Sequence, residues 1–162
     1  MKTIIFMALA LFCLISCKDG TGKINVHLTD APGDYQEVNI DLKEVKVKME
    51  KGSGWIDLAA NKRVYNLLAL RNVDTLIATG SVPAGRIKEV RLVLGNNNSI
   101  KLNDGTVHPL QTPSAEHSGF KIKINKKVDD DDPARLVLDF DALLSVTEAS
   151  GKYILNPTIV LK

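Results

Sequence analysis

Val38-Asn39-Ile40-Asp41-Leu42-Lys43-Glu44-Val45-Lys46-Val47-Lys48-Met49 is an alternating segment with one fault in it. Val38, Ile40 and Leu42 set one phase, and Val45, Val47 and Met49 set the other. A period of two is the mark of a half-buried strand. The slip falls at Lys43-Glu44. A β-bulge there restores the inward face, and so does a strand that bends from one sheet into another. Either solution makes this one long strand.

The same period runs through most of the chain. Ile24, Val26 and Leu28 alternate with Asn25, His27 and Thr29, which predicts a strand with His27 on its solvent side. Asp30-Ala31-Pro32-Gly33-Asp34 ends it as a type II turn, with proline second and glycine third. Trp55, the only tryptophan, opens a short strand with Ile56 and Leu58. Residues 64–70 fit either a helical turn or a short strand, and Leu76-Ile77 adds further apolar residues. Ile87, Val90, Leu92 and Leu94 resume the pattern after Pro83-Ala84-Gly85. Asp104-Gly105 predicts a tight hairpin with Leu102 across from Val107. Residues 109–119 form a long connection.

Phe120, Ile122 and Ile124 face inward in the next strand, and Leu136, Leu138 and Phe140 in the one after it. An antiparallel pair of these two sets Lys123 opposite Asp139 and Lys121 opposite Asp141. Residues 153–161 read as one final strand, with Pro157 marking an edge or a bulge. The fold class is all-β: a two-sheet antiparallel β-sandwich, immunoglobulin-like or prealbumin-like, of about eight strands and no long helix.

The 162 residues carry a formal net charge of +2. No basic run stands out, which argues against a nucleic-acid partner. The two cysteines, Cys13 and Cys17, both lie near the N-terminus. The domain that follows therefore has no disulfide, no cysteine nucleophile and no cysteine metal cluster.

Met1-Lys2-Thr3, the apolar run 4–14 and Ser16-Cys17 resemble a bacterial lipoprotein signal. The apolar run is shorter than the about 20 residues a bilayer span needs, so it reads as a secretory segment. The resemblance implies cleavage before Cys17 and acylation of Cys17, at roughly 0.8 kcal/mol of membrane affinity per buried methylene. Residues 1–16 are then signal peptide, 17–22 a lipidated tether and 23–162 one domain. The expected location is the cell envelope, anchored to the outer membrane, on its periplasmic or its exposed face. Lys18-Asp19 resembles the start of a surface-export tag.

Leu28-Thr29-Asp30-Ala31-Pro32-Gly33-Asp34-Tyr35 resembles a bacterial and archaeal lipoprotein domain family catalogued only as a domain of unknown function. Gly54-Trp55, Leu67-Leu68-Ala69-Leu70, Pro83-Ala84-Gly85 and Leu138-Asp139-Phe140-Asp141 continue the resemblance in order. It implies an extracytoplasmic β-sandwich and supplies no activity.

Candidate chemistry rests on aspartates. Asp30, Asp34, Asp139 and Asp141 are the candidate ligands for a hard cation such as Ca²⁺, which takes carboxylate oxygens from loops. Against that, Asp30 can close its own turn and Asp139 and Asp141 can pair with lysines. His27, His108 and His117 lie far apart in sequence, and two without a third ligand do not make a zinc site. Phosphate-loop, serine-elbow and His-Glu-x-x-His motifs are absent from the sequence. Tyr35 and Trp55 are the candidate aromatic ligand platform, although core packing is the commoner fate of a lone tryptophan. The expectation is a lipid-anchored, non-enzymatic binding or structural module for a protein or glycan. The alternative is a metal-dependent hydrolase or metal-binding domain with an aspartate site.

Overall fold

The computed structural model describes residues 20–31, 34–113 and 118–162. In chain order they form β1 (Thr21–Asp30), β2 (Glu37–Met49), β3 (Ile56–Ala60) and β4 (Arg63–Asn66). A 3-10 turn at Leu67–Leu70 leads to β5 (Thr75–Pro83), β6 (Gly85–Leu94), β7 (Ser99–Lys101) and β8 (Val107–Gln111). Next come β9 (Phe120–Val128), β10 (Ala134–Asp141) and the one-turn helix α1 (Ala142–Ser145). The chain ends with β11 (Val146–Ala149), β12 (Lys152–Leu155) and β13 (Thr158–Leu161). No helix among the described residues is long and apolar enough to cross a membrane.

The all-β expectation holds, but the arrangement differs from a two-sheet antiparallel sandwich of about eight strands. Thirteen strands join one hydrogen-bonded sheet in the order β11-β12-β8-β7-β2-β3-β5-β1-β10-β13. β4 and β6 add to β2, and β9 adds to β6. Two pairs are parallel, β1 with β10 and β12 with β8. The sheet curls until β9 approaches β1, β10 and β13, strands that are not its hydrogen-bonded neighbours. Ile24, Leu28, Leu136 and Phe140 from one wall and Ile40, Val47, Leu92 and Ile122 from the other then share one core.

β2 makes the curl possible because it has two partners on each edge. One edge pairs with β4 over Asn39–Leu42 and with β3 over Val45–Val47. The other pairs with β7 over Glu37–Asn39 and with β6 over Leu42–Met49. The register shifts between Leu42 and Glu44, which is the bulge expected from the phase slip. Val38, Ile40, Leu42, Val45 and Val47 are all fully buried, each stabilising the fold by roughly 1.5–3 kcal/mol.

The bulge leaves backbone groups that the ladder does not serve. Asn98, itself buried, supplies the missing partner: its side-chain oxygen accepts from the Asp41 N–H at 2.8 Å. Its amide donates to the Gly95 carbonyl at 2.6 Å. The Gly95 N–H reaches the Asp41 carbonyl at 2.7 Å, and Lys43 reaches back to the buried Asp41 carboxylate at 3.0 Å. Gly95 has no room for a side chain, since a Cβ would lie 2.3 Å from the Asp41 carboxylate.

Three local expectations are corrected. β9 does not pair with β10, so Lys123 and Lys121 do not face Asp139 and Asp141; they face Glu89 and Arg91 of β6. Residues 153–161 are two strands, because Asn156-Pro157 breaks the ladder. In the β7–β8 hairpin Lys101, not Leu102, faces Val107. The loop closes through Leu102 N–H to the Thr106 carbonyl at 2.9 Å, with Gly105 at φ 86°, a three-residue turn with a bulge. Residues 64–70 use both readings, a strand and then a 3-10 turn capped by the Asn66 side chain. Pro32, Gly33, His117 and residues 1–19, including Cys17, lie outside the described residues.

Replacing Asn98 with Ala is expected to cost about 1–3 kcal/mol, because the buried Asp41 N–H and the half-buried Gly95 carbonyl lose their partners. Urea unfolding of the variant measures this; a loss below about 0.5 kcal/mol would contradict the account of the bulge.

Candidate functional site

Three of the four predicted aspartates gather where β1 and β10 end. Asp30 is the last residue of β1 and is 3% exposed. One of its oxygens accepts from the Ala142 N–H at 3.1 Å, and the other has no hydrogen-bond partner. Asp141 caps α1 by accepting from the Leu144 N–H at 2.9 Å. Asp139 stands beside Thr29 in register and pairs with Lys162 at 2.9 Å. Asp34 is elsewhere: its backbone and side-chain oxygens accept from Asn103 at 3.1 and 3.3 Å. The Asp30 and Asp34 side chains therefore serve different parts of the sheet. Among the described residues no three His, Cys, Asp or Glu side chains are grouped to hold a metal ion.

The aspartates act as joints. Ala31 N–H donates to the Phe140 carbonyl at 3.0 Å while Asp30 holds the first turn of α1, so β1 is tied to the strand exit next to it. Ser145, fully buried, carries the chain onward. Its hydroxyl donates to the Asp141 carbonyl and accepts from the Thr158 N–H at 2.8 Å. Its carbonyl accepts from the Asn156 N–H at 2.7 Å. This clasp fixes the two-residue step from β12 to β13, which lie near opposite ends of the sheet order.

The histidines also fall apart. His27 is only 18% exposed and lies 3.7 Å from Asp74, which is ion-paired to Arg135. His108 tilts against Tyr153 with ring centroids 4.9 Å apart. A cleft of about 310 Å³ opens between Met49, Pro83 and Arg86, and its one carboxylate, Glu50, is ion-paired to Lys88 at 3.0 Å.

The aromatic candidates separate. Tyr35 packs against the core. Trp55 does not enter the core; it is half-buried on the outer face of the sheet. The Arg91 guanidinium lies over its ring, 3.9 Å from the centroid, a cation–π contact. Around this pair the register sets basic residues side by side. Lys46 of β2 faces Arg91 of β6, which faces Lys121 of β9. One row along, Lys48 and Lys123 flank Glu89. Alternation alone shows that these residues point outward. It does not show that three strands line them up.

A family model described as a domain of unknown function, DUF4382, matches residues 21–157. The chain belongs to the DUF4382 family. No curated protein and no solved structure matches it. The DUF4382 match begins with β1 and runs past β12, so it includes the bulge, the aspartate joints and the Trp55 face.

Burial pushes the Asp30 carboxyl up from 3.8 to about 6. The Ala142 N–H and the Arg71 charge oppose the rise, and Asp141 and Asp139 add to it. The folded chain thus holds this proton more tightly than the unfolded one. The stabilisation is complete below pH 3.8 and is lost as pH rises through about 6. Asp30→Asn is therefore expected to flatten this part of the profile, compared by thermal melting at about pH 5 and pH 7.5. Identical pH slopes in the two proteins would contradict the assignment.

Proposed function

We propose that this chain is a lipid-anchored, non-enzymatic β-domain of the cell envelope that binds a ligand on its sheet surface. The anchor is Cys17, on the motive of the Leu14-Ile15-Ser16-Cys17 signal. The outer membrane is the expected support. The observation that carries the binding role is the Trp55–Arg91 pair, a large aromatic kept at the surface beneath a guanidinium and beside further cations. Folding alone favours burying that indole. The aspartates argue against chemistry of their own, since Asp30 and Asp141 hold α1 and Asp139 holds Lys162.

Mass spectrometry of the protein from bacterial membranes is expected to find an N-terminal fragment starting at Cys17 and carrying acyl chains. An unmodified Cys17, or an intact residue 1–16 segment, would overturn the anchor.

A rival reading, an aspartate-based metal site serving a hydrolase, draws on the unpartnered oxygens of Asp30 and Asp139. A ligand that binds only the folded state must raise the melting midpoint. Millimolar Ca²⁺ is expected to leave it unchanged, and a clear rise would favour the rival.

A further inference from the structure

We propose that the outer face of β2, β6 and β9 around Trp55 binds an acidic polysaccharide, a chain carrying a carboxylate or sulfate on successive sugars. The proposal rests on the binding-module reading above and adds the ligand class to it.

The first observation is an arrangement that folding does not favour. Lys46, Arg91 and Lys121 stand in one cross-strand row, about 4.8 Å from strand to strand. Like charges directly opposite one another destabilise a sheet. Lys46 is compensated, with Glu44 at 2.8 Å and Asp57 at 2.9 Å. Lys48, Arg91, Lys121 and Lys123 enter no ion pair among the described residues. Glu89 is the one acid set directly opposite any of these four by register, while Asp57 ends the Lys46 row. The middle of the face is therefore left with an excess of positive charge.

The second observation is that Arg91 is held in place. Its guanidinium rests on the indole, and its Nε is buried without a hydrogen-bond partner. A guanidinium fixed on an aromatic plane presents its remaining N–H groups as a fork, which suits a carboxylate or a sulfate. Lys121 and Lys123 are exposed and extend the positive charge along β9.

These features select among polyanions. A single-stranded nucleic acid is held by successive aromatic platforms, and here there is one indole. A peptide that adds a strand needs an open sheet edge; the open edge here is that of β9, one strand away from Arg91, whereas β6, which carries Arg91, is paired on both sides. A ribbon of acidic sugars needs cations spaced along a continuous surface, and the Lys46, Arg91 and Lys121 row supplies them across three strands, with the indole beneath Arg91 holding its fork in place.

Trp55 is the only tryptophan, so its emission reports directly on this site. The expressed full-length protein is titrated with polygalacturonate, with dextran as the neutral control. A saturable change in Trp55 emission is expected with polygalacturonate and none with dextran, and added salt should weaken the response. Arg91→Gln should weaken binding about tenfold, the loss of one charge-assisted pair. Lys121→Gln with Lys123→Gln tests the same face without touching the indole, and should weaken binding without lowering the melting midpoint.

No saturable response, an unchanged affinity in the double lysine variant, or tighter binding of oligothymidylate or phosphatidylglycerol vesicles would overturn the proposal. If Cys17 proves acylated while Trp55 stays silent, this site fails and the anchor stands. If Trp55 responds while Cys17 is unmodified, the anchor fails and this site stands.

Discussion

One strand has to satisfy four neighbours, and the rest of the molecule follows from that. β2 pairs with β4 and β3 along one edge and with β7 and β6 along the other. A flat strand cannot change partners on both edges without leaving backbone groups unserved. The bulge at Lys43 makes the change, and Asn98 takes over the hydrogen bonds that the ladder gives up. A bulge also bends its strand and increases the twist. The sheet beyond it therefore curls over one core, as a single path in place of two separate sheets.

A curled sheet still has two ends to bring together. Pro157 cannot donate to a ladder, so the last apolar run divides into β12 and β13, which lie near opposite ends of the strand order. Ser145 holds that step through both its hydroxyl and its carbonyl. Asp30 and Asp141 hold the turn that leads into it. The acidic residues that look most like chemistry in the sequence are the fastenings of this seam. On the opposite wall, Arg91, Lys121 and Lys123 lie around a half-buried indole and enter no ion pair among the described residues.

The elements could be read from the sequence more readily than their neighbours. The fault at Lys43-Glu44 was legible because side-chain facing has a period of two, so one extra residue shows as a phase change. A turn at Asp104-Gly105 was legible because its chemistry is local, but the three-residue loop that sets Lys101 opposite Val107 was not. Alternation says which face a residue takes and nothing about which strand lies alongside. Charge complementarity therefore pairs Lys121 and Lys123 with Asp139 and Asp141, while the chain sets β9 against β6. The parallel pairing of β1 with β10 joins segments about a hundred residues apart, and no local signal announces it. Asp30 had a local use as a turn residue. Its observed partner, the Ala142 N–H, lies 112 residues away. Trp55 looked like core because tryptophan usually is, and only the register of β2, β6 and β9 shows the cations it keeps company with.

The central claim is that binding belongs to the cationic wall and that the aspartate seam is structural. Amide hydrogen exchange with and without polygalacturonate tests it most directly, because it reads both walls in one experiment. The account predicts slower exchange confined to peptides from β2, β6 and β9 near Trp55, with no change at Asp30 or from Asp139 through Ser145. Protection centred on the aspartate seam, with the Trp55 face unchanged, would contradict it.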